Sequence, residues 1–125
     1  MISAPKGVLR MAALKMLSES SLSGAGLAEE VGRVSGGEWK PGPGSIYLIL
    51  GDLLRKGLIT ELTKREGNVR RYIISGKGKV ELEKMERATE YDVARQLKLL
   101  GVYLTLAGKD DLGIKVKALA ETVRR

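Results

Sequence analysis

The chain has 125 residues, a formal net charge of +7 and 43% hydrophobic residues, which suits one small globular domain or a domain with an appendage. It contains no Cys and no His, which excludes disulfides, thiolate metal sites and catalysis by a cysteine nucleophile or an imidazole base. No coherent catalytic set remains among its carboxylates and lysines, so we expect a protein that is not an enzyme and uses no cofactor.

Positive charge is concentrated in the first part of the chain. Residues 1–78 carry twelve basic and seven acidic side chains, whereas residues 79–125 carry ten and eight. Such an excess indicates a polyanionic partner, and nucleic acid is the commonest one, although a basic protein without such a partner would have the same total. The sequence lacks both an apolar run of about twenty residues and the apolar core of a secretory signal, so we expect a cytoplasmic protein.

Two helices are predicted in the first third of the chain. The first begins near Pro5, because proline suits a first helical turn, and apolar residues then recur at helical spacing. A polar break at residues 18–23 follows. Ser23 is a suitable cap for the second helix, which should end before the glycine pair at residues 36–37.

A third helix, at about residues 44–56, is predicted after a loop rich in proline and glycine at residues 40–44. Gly44 or Ser45 begins this helix, and Gly57 is suited to a left-handed helix end. Five apolar residues at helical spacing form its predicted buried stripe: Ile46, Ile49, Leu50, Leu53 and Leu54.

A β-hairpin and two further helices complete the predicted elements. Residues 58–63 and 69–75 are rich in β-branched residues and are joined by "KREGN", which suits a hairpin tip. Ser75 is a candidate cap for a long helix at about residues 78–107, although Gly101 weakens this prediction and "LKLLGVYLTL" also alternates like a strand. Asp110 or Asp111 should cap a last helix, which carries on one face Leu112, Val116, Leu119, Ala120 and Val123.

Three helices followed by a hairpin are the element order of a winged helix-turn-helix domain, so the predicted fold is mainly α (α+β). In this fold the third helix presents its outer face to a major groove. The predicted hairpin is also the most basic part of the chain, with Lys64, Arg65, Arg70, Arg71 and Lys77 against Glu66 alone. Such charges suit contact with phosphates, although charges on a hairpin can also protect a sheet edge.

Several motifs in this order resemble the PadR family of winged-helix transcriptional regulators. The motifs are "GSIY" at residues 44–47, "GLI" at residues 57–59 and "YIISGKG" at residues 72–78. In addition, "LSGAGL" at residues 22–27 resembles the start of the second helix in that family. The resemblance covers about residues 6–80.

The resemblance implies a homodimer that binds a palindromic DNA operator, usually as a repressor. It divides the chain into a winged helix DNA-binding domain at residues 1–78 and a C-terminal helical dimerisation region at residues 79–125. A stripe on the long helix, which a lone helix could not bury, supplies the candidate dimerisation residues: Leu82, Met85, Val93, Leu97, Leu100 and Leu104. Some family members bind an aromatic small-molecule effector between the dimer helices, and Tyr91 and Tyr103 could line such a site.

The expected DNA contacts lie in the third helix, at about residues 44–56, and in the wing, at about residues 64–71. The candidate residues are Lys40, Ser45, Tyr47, Leu48, Lys64, Arg65, Asn68, Arg70 and Arg71. The chain departs from the family pattern at Gly51 and Asp52, where basic residues are common. Asp52 could accept a hydrogen bond from a cytosine amino group or could pair with Arg55. These departures also leave open a winged helix that binds a partner protein and no specific DNA.

Overall fold

Five helices and three short strands make up the part of the chain that the computed structural model describes, residues 7–62 and 69–123. In chain order they are α1 (Val8–Glu19), β1 (Leu22–Ser23), α2 (Gly24–Val34), α3 (Pro43–Arg55), β2 (Ile59–Glu61), β3 (Arg71–Ile74), α4 (Gly76–Leu106) and α5 (Asp110–Val123). This order confirms the predicted mainly helical fold of winged helix-turn-helix type. The chain divides into two compact units, Met1–Leu82 and Glu83–Arg125, and within the described residues no helix is long and apolar enough to cross a membrane.

The core of the first unit is aliphatic. Leu14, Leu17 and Leu53 have no exposed surface, and each such leucine contributes roughly 2 kcal/mol by its burial. The other apolar residues buried in this unit are Ala13, Leu27, Val31, Ile46, Leu50, Leu58, Ile59, Tyr72, Ile74 and Leu82. Three members of the predicted stripe of α3 are among them, which confirms the inner face of that helix.

The start of α2 has the predicted cap but also an unpredicted strand. The Ser23 hydroxyl accepts a hydrogen bond from the Gly26 N–H at 3.0 Å, which confirms Ser23 as the cap. The prediction of a polar break at residues 18–23 was wrong for its last two residues, which form strand β1. In this strand Leu22 pairs with Tyr72 of β3. Two residues carry no detectable periodicity, so only the pairing partner reveals this strand.

Helix α3 begins at Pro43 rather than at Gly44 or Ser45. The proline ring presets a helical φ, and its missing N–H is harmless in the first turn. The Ile46 N–H already donates to the Gly42 carbonyl at 3.1 Å. At the other end Gly57 has φ 71°, which confirms the predicted left-handed helix end and turns the chain directly into β2.

The sheet is antiparallel with strand order β1-β3-β2. Ile59 pairs with Ile74, and Glu61 pairs with Tyr72. Among the described residues, the regular ladder covers Ile59–Glu61 and Arg71–Ile74, which lie within the two predicted hairpin strands. The hairpin tip, which holds the predicted contacts Lys64, Arg65 and Asn68, lies outside the described residues.

A compact junction of Gly57, Leu58, Ser75 and Gly78 links the end of α3 to the start of α4. The Ser75 hydroxyl donates to the Gly57 carbonyl at 2.6 Å and accepts from the Gly78 N–H at 3.0 Å, which confirms the predicted cap. The Ser75 N–H donates to the Leu58 carbonyl at 3.0 Å. A Cβ at Gly78 would overlap that same carbonyl oxygen and approach Ile74 Cγ1 to 2.7 Å, so only glycine fits at this position.

In the second unit, α4 and α5 pack antiparallel through small residues. Ala94, Gly101, Gly113 and Ala120 are buried in this helical hairpin, and a Cβ on Gly113 would overlap the Thr105 hydroxyl. The long helix predicted at about residues 78–107 is confirmed, and α4 continues through Gly101. The missing side chain of Gly101 lets the Gly113 backbone come close.

The predicted cap of α5 was wrong. Asp110 and Asp111 lie in its first turn rather than capping it, where their charges still complement the helix dipole. On the apolar face predicted for α5, Ala120 is buried, whereas Leu112 and Leu119 are 49% and 54% exposed.

Candidate nucleic-acid interface

The first two turns of α3 present a group of exposed side chains, which we call the reading face and define as Ser45, Tyr47 and Leu48. All three were predicted from the sequence to face outward, and all three are exposed. Tyr47 is 69% exposed and Leu48 is 77% exposed, values that exclude a role for either side chain in the core of the first unit. The structure therefore brings together the three α3 residues that were expected to contact a base.

The positive end of the helix lies beside this face. The cap residue Gly42 offers no side-chain hydrogen bond, and Pro43 has no N–H, so the N–H groups of Gly44 and Ser45 point out of the helix without an intrahelical acceptor. Lys40 is exposed just before this turn. Backbone N–H groups at a helix N-terminus together with a lysine suit a phosphate oxygen.

Gly51 leaves a gap one turn beyond the reading face. A Cβ at this position would meet only the Arg55 guanidinium, at 3.6 Å, so packing does not require glycine here. Glycine inside a helix costs about 1 kcal/mol relative to alanine. The backbone of α3 is thus open to close approach at a site where neither packing nor helix stability explains the missing side chain.

Asp52 is held by cations of the protein itself. Its two carboxylate oxygens lie 3.2 Å from Lys56 Nζ and 3.5 Å from Arg55 Nη2. The hydrogen bond from Lys56, more than the nearby charges of Arg10 and Arg55, holds the pKa of the Asp52 carboxyl below its ordinary value of 3.8. Of the two predicted alternatives for Asp52, the ion pair with Arg55 is therefore present. Each carboxylate oxygen of Asp52 lies near one cation.

The Asp52→Asn variant is expected to lose stability near neutral pH but not in acid. Because the folded-state pKa is depressed, ionised Asp52 contributes stability above its unfolded pKa of about 4, and this contribution is lost as the pH falls through the folded-state value. Urea unfolding at pH 7 and near pH 2.5 measures the effect, with Asp92→Asn as a control for charge. A stability difference from the wild type that persists unchanged in acid would contradict the ion-pair role.

The wing contributes two arginines within the described residues. Arg70 Nε lies 3.6 Å from Glu61 Oε1, with 61% of the Arg70 side chain exposed, and Arg71 Nη1 donates to the Ser21 carbonyl at 3.5 Å. Both contacts are long and lie at the surface, where they contribute little. A phosphate can therefore compete for either guanidinium.

The candidate dimerisation residues fall into three environments. Leu82 is buried within the first unit, with 6% of its surface exposed. Met85, Leu97 and Leu104 are half-buried, whereas Val93 and Leu100 are 40% and 52% exposed. Other large apolar residues of the second unit are also exposed: Tyr91, Leu99, Val102, Tyr103, Leu106, Leu112, Ile114 and Leu119.

Sequence reasoning missed three features of this region. It did not find the contact of Lys56 with Asp52, although the i, i+4 spacing of an acid and a base is a readable signal. It did not find that the charge of Arg10 helps to lower the pKa of Asp52, which no local pattern reveals. It treated Gly51 only as the loss of a basic residue. Within residues 7–62 and 69–123, no cluster of three metal-ligating side chains occurs.

Comparison with known proteins identifies relatives of the chain. The family model described as "Transcriptional regulator PadR-like family" matches residues 13–84, whereas no curated protein sequence matches. Among solved structures, a PadR-like transcriptional regulator of Bacillus cereus is 24% identical with a TM-score of 0.64, over 76% of this chain and 93% of that one. Bacillus subtilis PadR in complex with operator DNA is 19% identical with a TM-score of 0.58, over 97% of this chain and all of that one.

A third similar structure is a transcriptional regulator of Clostridium thermocellum. It is 16% identical to this chain with a TM-score of 0.66, over 77% of this chain and 93% of the other. At such identities the likeness supports the winged-helix fold, while the matched family model covers more than half of the 125 residues.

Proposed function

Because the chain belongs to the PadR-like family of transcriptional regulators, we propose that it is a sequence-specific regulator of transcription that binds double-stranded DNA as a homodimer. Helix α3 enters the major groove, and the wing contacts phosphates. The regulator acts as a repressor, the usual role in the family, and not as an enzyme. The observation that carries this proposal is the exposed reading face at the positive end of α3.

Charge supports the placement of DNA. Lys40 lies before the reading face, and Arg70 and Arg71 lie on the wing, all exposed. Phosphate contacts position a protein on the duplex, and side chains in the groove specify the site. The arrangement provides both kinds of contact. The operator DNA in the structure of the Bacillus subtilis relative supports the same kind of partner for this chain.

The homodimer is proposed from the apolar surface of the second unit. Val93 and Leu100 belong to the predicted stripe and are exposed, and apolar neighbours such as Leu99 and Tyr103 are each 70% exposed. Isolated chains rarely leave so much apolar surface in water, and a second copy of the chain can cover it. Leu82 is not part of the proposed interface, because it is already buried in its own unit.

A winged helix that binds a partner protein is the second candidate function. The exposed pair Tyr47 and Leu48 favours it, because aromatic and aliphatic residues are common in protein interfaces. Two cations at the C-terminal end of α3, Arg55 and Lys56, are also paired with Asp52. Such a protein would bind random DNA weakly at low salt and would not prefer any sequence.

Selection of DNA sites from a random duplex library tests the proposal. We expect enrichment of a two-fold symmetric site with half-sites about one DNA turn apart, ~34 Å. Light scattering should give a particle of twice the 13.6 kDa chain mass. A dimer that enriches no site would support the protein-binding alternative, and a monomer that enriches an asymmetric site would contradict the dimer alone.

A further inference from the structure

Before its last residue, Arg55, helix α3 lacks the side chains that read purines by paired hydrogen bonds. Between Pro43 and Leu54 the helix contains no Arg, Lys, Asn or Gln, and these are the residues that form paired hydrogen bonds with guanine or adenine. Arg55 is the first such residue, and it lies in the last turn beside Asp52 at 3.5 Å. Residues 43–54, which include the reading face, therefore offer no paired hydrogen bond to a purine.

Asp52 does not supply the missing polar contact. It is the one carboxylate of this helix, and a carboxylate can accept a hydrogen bond from a cytosine amino group. However, Lys56 and Arg55 each approach one of its carboxylate oxygens. Releasing the carboxylate to a base would break these contacts and would bring its charge toward the phosphates. Reading of cytosine at this position is therefore disfavoured.

Leu48 is the most exposed large apolar side chain of the first unit's helices, at 77%. The C5 methyl of thymine is the apolar feature that unmodified DNA presents in the major groove. Gly51 lies one helical turn after Leu48 and has no Cβ, so a notch adjoins the leucine. The notch has room for a methyl group, because only the Arg55 guanidinium lies within 4 Å of a Cβ built there.

We propose that Leu48 and the notch at Gly51 read the C5 methyl of a thymine in each operator half-site, so that this regulator selects its operator largely by apolar contact. The inference rests on the proposed function and deepens it. Ser45 and Tyr47 retain polar contacts in the same groove. Replacement of the recognised thymine by uracil removes one methyl group and leaves every hydrogen-bonding atom of the base in place.

The test begins with the symmetric site enriched from the random library and replaces each thymine in turn by deoxyuridine in both half-sites. Loss of a buried methyl corresponds to about fourfold in affinity, and therefore to roughly 15-fold for two half-sites. We expect this loss at one thymine position and almost none at the others. In Leu48→Ala the ratio of thymine to uracil affinity at that position should fall to about one.

Two further variants separate the contact from general effects. Gly51→Ala fills the notch with a methyl group that the protein can accommodate, so it should keep the fold but reduce the thymine-to-uracil ratio at the same position. Val34→Ala truncates another exposed aliphatic side chain, 65% exposed, outside the reading face. It should leave the thymine-to-uracil ratio unchanged.

The outcomes distinguish this inference from the function on which it rests. If a site is enriched and every thymine tolerates uracil equally, the methyl-reading role is overturned and the DNA-binding regulator stands. The same holds if the ratio persists in Leu48→Ala. If no site is enriched, both fail, and an apolar face that instead captures a partner protein becomes the better account of Tyr47 and Leu48.

Discussion

Replacement of Arg70 and Arg71 by alanine is expected to lower operator affinity on the order of a hundredfold per protomer, since two charge-assisted contacts would be lost. Each lost phosphate contact should also reduce the slope of log affinity against log salt concentration by about one, hence by about two per protomer. The present partners of these residues, Glu61 at 3.6 Å and the Ser21 carbonyl at 3.5 Å, are long contacts that DNA can replace. A filter-binding or fluorescence titration at several salt concentrations measures both quantities.

A matched control for this experiment removes the same charge from the second unit. Lys109→Ala/Lys115→Ala lowers the net charge by two at exposed positions on and just before α5. If the loss of affinity arises from local phosphate contacts, the control should keep most of the affinity and the full salt slope. Equal losses in both variants would mean that only the total charge matters, and no change in the arginine variant would remove the wing from the proposed interface.

The Gly78→Ala variant is expected to destabilise the protein by about 3 kcal/mol, in the range of severe overpacking. The added Cβ would overlap the Leu58 carbonyl oxygen, which also accepts the hydrogen bond from the Ser75 N–H. Relief of this overlap requires movement of backbone, because no flexible side chain can simply turn away. Equilibrium unfolding in urea measures the loss of stability.

Gly76→Ala is the control for Gly78→Ala. It lies two residues earlier in the same first turn of α4, and a Cβ there would meet nothing within 4 Å. This variant should keep the wild-type stability or gain up to about 1 kcal/mol, since alanine is the better helix former. If both variants unfold at the same urea concentration, the junction does not constrain the fold as the contacts suggest.

The junction also connects stability with the proposed interface. Gly57 ends α3 and Leu58 begins the turn into β2, and the Ser75 hydroxyl donates to the Gly57 carbonyl at 2.6 Å. A shift at Gly78 would therefore move the C-terminal end of α3. The same helix carries the reading face in its first two turns. For this reason the folded fraction of Gly78→Ala should also bind the operator more weakly than that of Gly76→Ala.

Local chemistry made much of the fold predictable. Ser23 and Ser75 were recognised as caps because a hydroxyl beside an apolar helical pattern satisfies free N–H groups within three residues. Gly57 was recognised because a left-handed residue commonly ends a helix. The outward position of Tyr47 and Leu48 followed from the stripe that α3 buries. Each of these inferences uses interactions within about one helical turn.

Features that depend on distant residues were not predictable. Strand β1 exists because Leu22 meets Tyr72, and the nearby Arg71–Ser21 contact joins residues that are 50 apart in the chain. Gly101 appeared unfavourable for a helix, since its cost is local and its benefit lies in the approach of α5. The hairpin tip and its predicted contacts lie outside the described residues, so the roles of Lys64, Arg65 and Asn68 stay predictions.

The sequence by itself determined the helices and the two hairpin strands, the winged-helix order, the concentration of positive charge and the face of α3 that is turned outward. Tertiary structure alone decided which glycines are irreplaceable. Gly78 meets a carbonyl of another element, whereas Gly76 and Gly51 have room for a side chain. It also decided that the positive charge of Arg10, from another helix, helps to lower the pKa of the Asp52 carboxyl. The physical reason is that residue type and spacing govern interactions within a turn or two, while steric fit and charge pairing between elements exist only after the chain has packed.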